Sequence, residues 1–401
     1  MTEFYDVLVA GGGPAGLTAA RDIAASGMDV LVLELQAQIG GPSQTSAWIP
    51  AALLEEGYPE AKVSDVEEVR IHSPHRDTEA RGSFGAVIDR KVFEKSLALE
   101  AVEAGADVWV GSPVRGFLKE RGKVSGVRIE AGGWSEEVEG DLVVDATGAS
   151  SEWSSVFLTE VLESGWDDEK RNQTNEYLMA NSEDGGSIDL YFDSLVAPGG
   201  YAWIHPLERK FAMAGIRGVR IHPDSALDEF LGRDEPDRLR DGVPIGEYRG
   251  QLPVEGPLEN TVADGVLTVG SAAGQVYPLS GHGMKYALEG GEIAAEVAVE
   301  AVRAGDFSRK KLEEYDRRWR DSFGGEIEAG GAVYDSLQVS PDQKMDALLE
   351  FLEDDPEYKS DFVNLFTARE VWASLEKLLQ SERFREIIGE EKARSMLSLV
   401  R

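Results

Sequence analysis

The sequence contains no cysteine among its 401 residues. Disulfides, thiolate metal sites, iron–sulfur clusters and a cysteine nucleophile are thereby excluded, and any redox chemistry must run on a bound organic cofactor. Basic residues are scarce, with 40 Lys and Arg against 74 Asp and Glu and a formal net charge of -34. Binding a phosphate backbone needs a basic footprint, so nucleic acid is not expected as a partner. No metal site is expected either. No segment reaches the roughly 18 consecutive apolar residues of a membrane-spanning helix, and the opening MTEFYDVLVAGGG has no basic stretch ahead of its apolar run. A cytoplasmic protein is expected, with room for peripheral contact at the inner face of the membrane.

What is present fits a packed protein rather than a disordered acidic chain. Hydrophobic residues make up 42% of the sequence and include 8 Trp, enough apolar surface to offset the entropy of ordering. A chain of this length supports two or three packed units. The charge excess has a cost, because like charges on a compact surface repel. Molar salt relieves it, since the Debye length falls to about 3 Å at 1 M, and Arg outnumbers Lys among the basic residues. The charge therefore reads as adaptation to a salty cytoplasm; the alternative is an ordinary acidic cytosolic protein.

Residues 5 to 10 (YDVLVA) form an apolar run ending in glycines. PAGLTAARDIAASG follows with helical spacing and MDVLVLEL reads as a second strand, which makes a βαβ unit. A helical pattern is expected from about Val87 to Ala106, then short strands and turns, then DLVVDATG as a further buried strand. Between about Ser151 and Pro257 the texture changes to short aromatic-rich strands: SIDLYFDS, GYAWIHP and KFAMAGIRG. GVLTVGSAAG restores the strand-then-glycine texture, a long helix is expected from Met284 to Val302, and the chain from about Ser308 is mostly helical. The predicted fold class is α/β, α+β overall. A discontinuous Rossmann-like domain (1–150 and 258–305) is interleaved with a sheet-based substrate domain (151–257, with part of 50–85), and a helical C-terminal region covers 306–401.

Gly11-Gly12-Gly13-Pro14-Ala15-Gly16 satisfies GxGxxG between the first strand and helix. Gly11 permits the tight turn, Gly13 lets backbone approach a pyrophosphate, and Gly16 lets helix and strand pack, so that the helix N-terminus faces the phosphates. Glu34 ends the second strand about 20 residues on, where an acid accepts ribose hydroxyls and disfavours a 2′-phosphate. Two later segments select FAD over NAD, because DLVVDATGAS (141–150) and GVLTVGSAAGQVYPLSGHGMKYALEGG (265–291) are not features of simple NAD dehydrogenases. In that reading Gly148 and Gly270 let the chain pass the cofactor closely, and Ser271 sits near the ribityl and phosphate region. The turn from Pro278 through Gly281 to Gly283 (PLSGHG) aims backbone N–H groups at the pyrimidine edge of the flavin.

At these motifs the sequence resembles the geranylgeranyl reductases, within the flavoproteins that share the p-hydroxybenzoate hydroxylase fold; the resemblance covers most of residues 1 to about 300. The narrower likeness rests on Pro198-Gly199-Gly200-Tyr201-Ala202-Trp203-Ile204-His205-Pro206. That stretch is similar to the family's PxxYxWxFP signature, which lines the isoprenoid pocket, with His205 in place of Phe. Carried over by position, the resemblance implies FAD contacts at Ala15, Glu34, Thr45, Ser46, Arg90 (in IDRKVF), Val114 (in SPVRGF), Gly283 and Met284. Two positions depart from the pattern. Thr45, in IGGPSQTSAW, falls where many archaeal members place a cysteine near the flavin, and Ser271 replaces the Asp of the usual GDAA, although Ser still hydrogen-bonds.

The resemblance implies an FAD-dependent reductase that saturates C=C bonds of geranylgeranyl chains in archaeal ether-lipid precursors. An isolated alkene offers no carbonyl to polarise, so the faces of Tyr201 and Trp203 are expected to stabilise developing positive charge and to bind the isoprenoid by burial. Without cysteine, the proton is left to Tyr201, His205, His282 or an ordered water. Neither a second GxGxxG unit nor a thiol pair is visible, so electrons are expected from NAD(P)H, a ferredoxin or another carrier. Two other readings stay open. One is an FAD monooxygenase or halogenase of the same fold acting on an aromatic substrate, against which the halogenase pattern GWxWxIP is absent. The other is a non-catalytic isoprenoid-binding flavoprotein. Core packing is the expected use of AWIPAALLEEGYP (47–59) and of the apolar faces of the C-terminal helices, with bilayer contact as the alternative.

Overall fold

Strand Phe4–Ala10 is buried along most of its length, as a strand inside a parallel sheet must be. The computed structural model describes all residues except 1–3, 42–47, 51–52, 54–57, 132, 150–160, 162–170, 183–185, 208–209, 234–236 and 400–401. Within it, Phe4–Ala10 pairs in parallel with Val30–Leu33 on one side and Trp134–Asp145 on the other. Asp107–Trp109 and Val266–Thr268 extend the sheet, also in parallel, and the antiparallel pair Val114–Glu120 and Lys123–Ala131 continues from Trp134–Asp145. Helix Pro14–Ala25 opens on a proline in its first turn and buries Leu17, Ala20 and Ile23. It packs on the 21-residue helix Met284–Ala304.

The βαβ unit forms where the sequence places it, but one boundary differs. The helix expected from Val87 begins at Arg90, because Ala86–Ile88 is a strand pairing with Trp48–Ile49 and Lys62–Asp65 in a small sheet. Asp89 caps the helix, its carboxylate accepting from the N–H groups of Lys91 and Val92.

A second, seven-stranded sheet runs in the order Val243–Leu252, Asn172–Ala180, Phe211–Val219, Tyr201–Pro206, Ile188–Tyr191, Glu68–His72, Asp77–Arg81. Only Ile188–Tyr191 and Glu68–His72 pair in parallel. Register decides which side chains share a face. Tyr201 lies opposite Arg217, Trp203 opposite Gly215 and His205 opposite Met213. On the next strand Thr174 faces Arg217 and Glu176 faces Gly215. Alternate strand residues point the same way, so Tyr201, Trp203, His205, Glu176 and Arg217 rise from one face of this sheet.

After Gly305 come helices Arg309–Trp319, Gly325–Leu337, Pro341–Asp354, Lys359–Phe366, Val371–Gln380, Glu382–Ile388 and Glu390–Leu399. They turn their apolar sides inward, enclosing Phe351, Phe362, Phe366 and Phe384. The helical pattern of YKSDFVNLFTAREVWASLEKLLQ breaks between Phe366 and Val371, where Ala368 and Glu370 take left-handed backbone. Among the described residues no helix is long and apolar enough to cross a membrane.

Candidate functional site

The ends of the parallel strands open on a groove of about 500 Å³, walled by Gly11 to Ala15, Glu34, Arg90, Val114, Gly148, Gln251, Leu252, Ser271 and Ala287. Gly11 has a φ of +112°, and a Cβ on it would collide with the Ala146 carbonyl; one on Gly16 would collide with the carbonyl of Gly11. Around Gly13, by contrast, no atom of the described residues lies within 4 Å of where a Cβ would sit, so among them this stretch of backbone is bare to the groove. Glu34 closes the far end. Its Oε2 accepts from the Gly12 N–H and its Oε1 from the Gln36 N–H, both at 2.7 Å. Burial raises the Glu34 pKa against the pull of these two donors. Each carboxylate oxygen keeps a lone pair for a further donor such as a ribose hydroxyl. Bare glycine backbone, a helix N-terminus and an acid at the strand end together fit a dinucleotide.

A second cavity of about 150 Å³ adjoins the groove and shares Pro14, Arg90, Leu252, Ser271 and Ala287 with it. Its remaining walls include Trp48, Ile49, Tyr201, Trp203, His205, Arg217 and the run from Ser280 to Met284. The Trp203 indole lies across Gly215, where any Cβ would collide with the ring, and its Nε1–H donates to Glu176 at 2.7 Å. The Tyr201 hydroxyl donates to the Ser280 carbonyl at 2.7 Å, tying the sheet to the 278–283 turn. Phe366 of the helical region packs edge-on against Tyr201, with ring centroids 5.3 Å apart. Trp48 stands edge-on to both His205 and His282, at 6.2 and 5.9 Å.

Both imidazoles are neutral near pH 7. Burial pushes His205 down to about 3, with repulsion from His282 and Arg238 adding to it. Burial pushes His282 down to about 4, with repulsion from Arg217 adding to it. His282 Nδ1 shares a 2.6 Å hydrogen bond with Ser280 Oγ. Burial also raises the Tyr201 hydroxyl, which stays protonated.

The structure thus gathers Tyr201, Trp203, His205, His282, Gly281, Gly283 and Met284 around the cavity, Gly11, Gly13, Glu34, Val114 and Gly148 around the groove, and Pro14, Ala15, Arg90 and Ser271 on one or both. Gly16 packs helix on strand, the role its position predicts, and two expected contacts, Gly270 and Pro278, fall elsewhere. Gly270, with φ +67°, lies against Ala15 and donates its N–H to Gln275 at 2.7 Å. Pro278 is buried and turns its carbonyl toward Arg217. Thr45 and Ser46 lie outside the described residues. Trp48 and Ile49 are 3% and 2% exposed and form a cavity wall, in keeping with packing rather than bilayer contact at these two positions. Sequence reasoning misses Glu176, Gly215, Arg217 and Ser280 as site residues. Strand alternation is the only signal for Glu176, Gly215 and Arg217, which the register of three antiparallel strands brings beside Trp203 and Tyr201, whereas Ser280 lies in the PLSGHG turn that the sequence already marks.

Comparison with known proteins separates fold from family. A family model described as Tryptophan halogenase matches residues 55–328, and one described as NAD(P)-binding Rossmann-like domain matches residues 9–48. A geranylgeranyl bacteriochlorophyll reductase-like protein from Thermoplasma acidophilum superposes with a TM-score of 0.85 at 28% identity, covering 99% of both chains. A flavin-dependent brominase superposes with a TM-score of 0.70 at 18% identity over 91% of this chain and 93% of the other, a likeness of fold. The digeranylgeranylglycerophospholipid reductase of Methanoculleus marisnigri is 33% identical, covering 87% of this chain and 90% of that protein. Digeranylgeranylglycerophospholipid reductase 1 of Methanopyrus kandleri is 36% identical, covering 87% of this chain and 94% of its own. Within the fold that the tryptophan halogenase model describes, the chain belongs to the digeranylgeranylglycerophospholipid reductase family.

Proposed function

We propose that the protein is an FAD-dependent reductase that saturates C=C bonds of geranylgeranyl chains in archaeal ether-lipid precursors. One observation carries this reading: the dinucleotide groove opens, through Pro14, Arg90, Leu252, Ser271 and Ala287, into a cavity walled by Trp48, Tyr201 and Trp203. The names of its close relatives support the same substrate class. Gly11 to Ala15, Glu34 and Val114 would hold the nucleotide half of FAD, and Arg90, Gly148, Ser271 and Gly281 to Met284 the flavin half. Bound and reduced, FAD supplies the hydride that such a reduction consumes.

The chain's own residues do the rest. Trp48, Tyr201 and Trp203 bind a branched hydrocarbon by burial, at about 25 cal/mol per Å² of apolar surface. Their π-faces also favour cationic character at the tertiary carbon. Glu176 fixes the plane of the Trp203 indole through its 2.7 Å hydrogen bond. His205 and His282 hold no imidazolium proton at pH 7, so the proton comes from bulk solvent through the Ser280 hydroxyl that His282 orients, one proton being taken up per alkene reduced.

In this reading 1–150 and 258–305 form the FAD domain, 151–257 with part of 50–85 the lipid-binding domain, and 306–401 the helical region behind it. A redox carrier, NAD(P)H, a ferredoxin or another, brings the electrons. Contact with the inner face of the membrane is apolar and salt-tolerant, because a protein of net charge -34 is not drawn to anionic lipid. The halogenase likeness is one of fold, and GWxWxIP is absent from the sequence. The test is to incubate dithionite-reduced holoprotein with a digeranylgeranylglyceryl lipid in high salt. A mass gain of two hydrogens per alkene is expected; no gain with fully reduced FAD rejects the activity and leaves a non-catalytic binder.

A further inference from the structure

Arg217 is 1% exposed and lines the cavity beside Ser280, Gly281 and His282. Its Nη2 donates to the carbonyl oxygens of Pro278 at 3.2 Å and Leu279 at 2.9 Å, and its guanidinium carbon lies 4.7 Å from the centroid of the Tyr201 ring. Nε and Nη1, both buried, make no hydrogen bond among the described residues. Two neutral carbonyls and an aromatic face leave most of the desolvation cost of a guanidinium uncompensated. An anion would supply at once the acceptors that Nε and Nη1 lack and the opposite charge.

The surroundings say where that anion sits. Gly281 has a φ of +79°, and a Cβ on it would come 2.5 Å from Arg217 Nη1, so the turn is bare where the guanidinium backs it. Gly283 then starts helix Met284–Ala304 with no side-chain cap among the described residues, which leaves the first-turn N–H groups of a 21-residue helix facing the same region. In a chain with 74 Asp and Glu, the described lining of this cavity holds two arginines, Arg90 and Arg217, and no carboxylate. Arg90 is engaged by Glu94 at 2.9 Å, which leaves Arg217 as the cation without a carboxylate beside it in the lining.

We propose that Arg217 is the charge-compensating residue for the reduced cofactor, favouring negative charge on the flavin ring and so raising its reduction potential. This role rests on the FAD reading above. Two electrons from the redox carrier then enter the ring with one proton rather than two, and Arg217 balances the remaining charge. An anionic lipid headgroup has the same chemistry, so the measurements are made on holoprotein without lipid.

Midpoint potentials and sulfite affinities are measured for the wild type, Arg217→Lys and Arg217→Met, since sulfite adds to flavin N5 and leaves negative charge on the ring. Arg217→Met is expected to bind sulfite at least tenfold more weakly and to show a potential lower by about 30 mV or more, the value of a tenfold change for a two-electron couple. Arg217→Lys falls between. The wild-type potential is expected to change by about 30 mV per pH unit around neutrality, one proton per two electrons. Unchanged potential and sulfite affinity in Arg217→Met overturn the role, as does a wild-type slope near 60 mV per pH unit, which two protons would give. Should Arg217→Met fail to retain FAD, the lysine variant and the wild-type slope decide. An unaltered potential combined with a tenfold higher KM for lipid assigns Arg217 to the headgroup instead. A shifted potential in a protein that reduces no lipid keeps this role and removes the reductase reading.

Discussion

Trp203 is fixed on two sides, by Gly215 beneath its ring and by the Glu176 carboxylate at its Nε1. Trp203→Ala empties a packed site, and buried aromatic-to-alanine changes cost about 3–5 kcal/mol. Holoprotein of this variant is expected to melt earlier and to lose lipid turnover even where FAD is retained. Mass spectrometry of the lipid and an absorbance spectrum of the same sample read both. Intact lipid reduction without the indole would remove Trp203 from the pocket.

His205 tests the proton assignment. The unfolded imidazole titrates near 6.5, the folded one near 3, because burial disfavours its charge. In that window the unfolded chain binds a proton that the fold refuses, so this residue's contribution to stability is whole above about pH 6.5 and is lost as pH falls toward the folded value. His205→Phe removes the loss. The variant is expected to show a flatter fall in stability between pH 6.5 and 4 in urea titrations, while turnover keeps the wild-type pH profile around neutrality. A turnover optimum displaced by this substitution would make His205 the proton donor. Tyr201, Trp203 and His205 were legible because the segment 198–206 resembles the family's PxxYxWxFP signature. Arg217 was not, because nothing in KFAMAGIRG tells which face of the strand meets the 278–283 turn.

At the scale of elements, the strand–glycine–helix unit carries the cofactor claim. Gly11→Ala places a methyl against the Ala146 carbonyl in a left-handed conformation that alanine avoids. FAD titration of the purified variant is expected to show binding lost or weakened by orders of magnitude, with helix content by circular dichroism little changed. Full FAD occupancy in Gly11→Ala would mean that the groove is not the nucleotide site. This unit was readable because its chemistry is local: three glycines, a proline and an acid at fixed spacing. Ala86–Ile88 was hidden for the opposite reason. VIDRKVF suits a helix locally, and only pairing with strands 48–49 and 62–65 draws its start into a sheet. The parallel pairing of Ile188–Tyr191 with Glu68–His72 likewise joins segments far apart in the chain, beyond the reach of local pattern.

Over the whole molecule, the net charge of -34 contrasts with a cavity whose described lining holds no carboxylate. Surface cations are largely engaged; Arg318 alone contacts Glu296, Glu300 and Glu314. The acid that remains in excess repels itself in dilute buffer. The melting temperature is expected to rise as KCl increases from about 0.1 M to about 1 M, where the Debye length contracts from about 10 Å to about 3 Å. A flat or falling melting temperature over that range would mean that the acidic surface is carried without cost.

The reductase assignment is tested most directly by an anaerobic single turnover. Holoprotein is reduced with exactly two electrons per FAD, freed of excess reductant and mixed with digeranylgeranylglyceryl lipid in high salt, with the flavin spectrum and the lipid mass followed together. One alkene saturated per FAD reoxidised is expected. Flavin that stays reduced beside unchanged lipid, and reoxidises only when oxygen is admitted, would show that this protein does not reduce the isoprenoid chain.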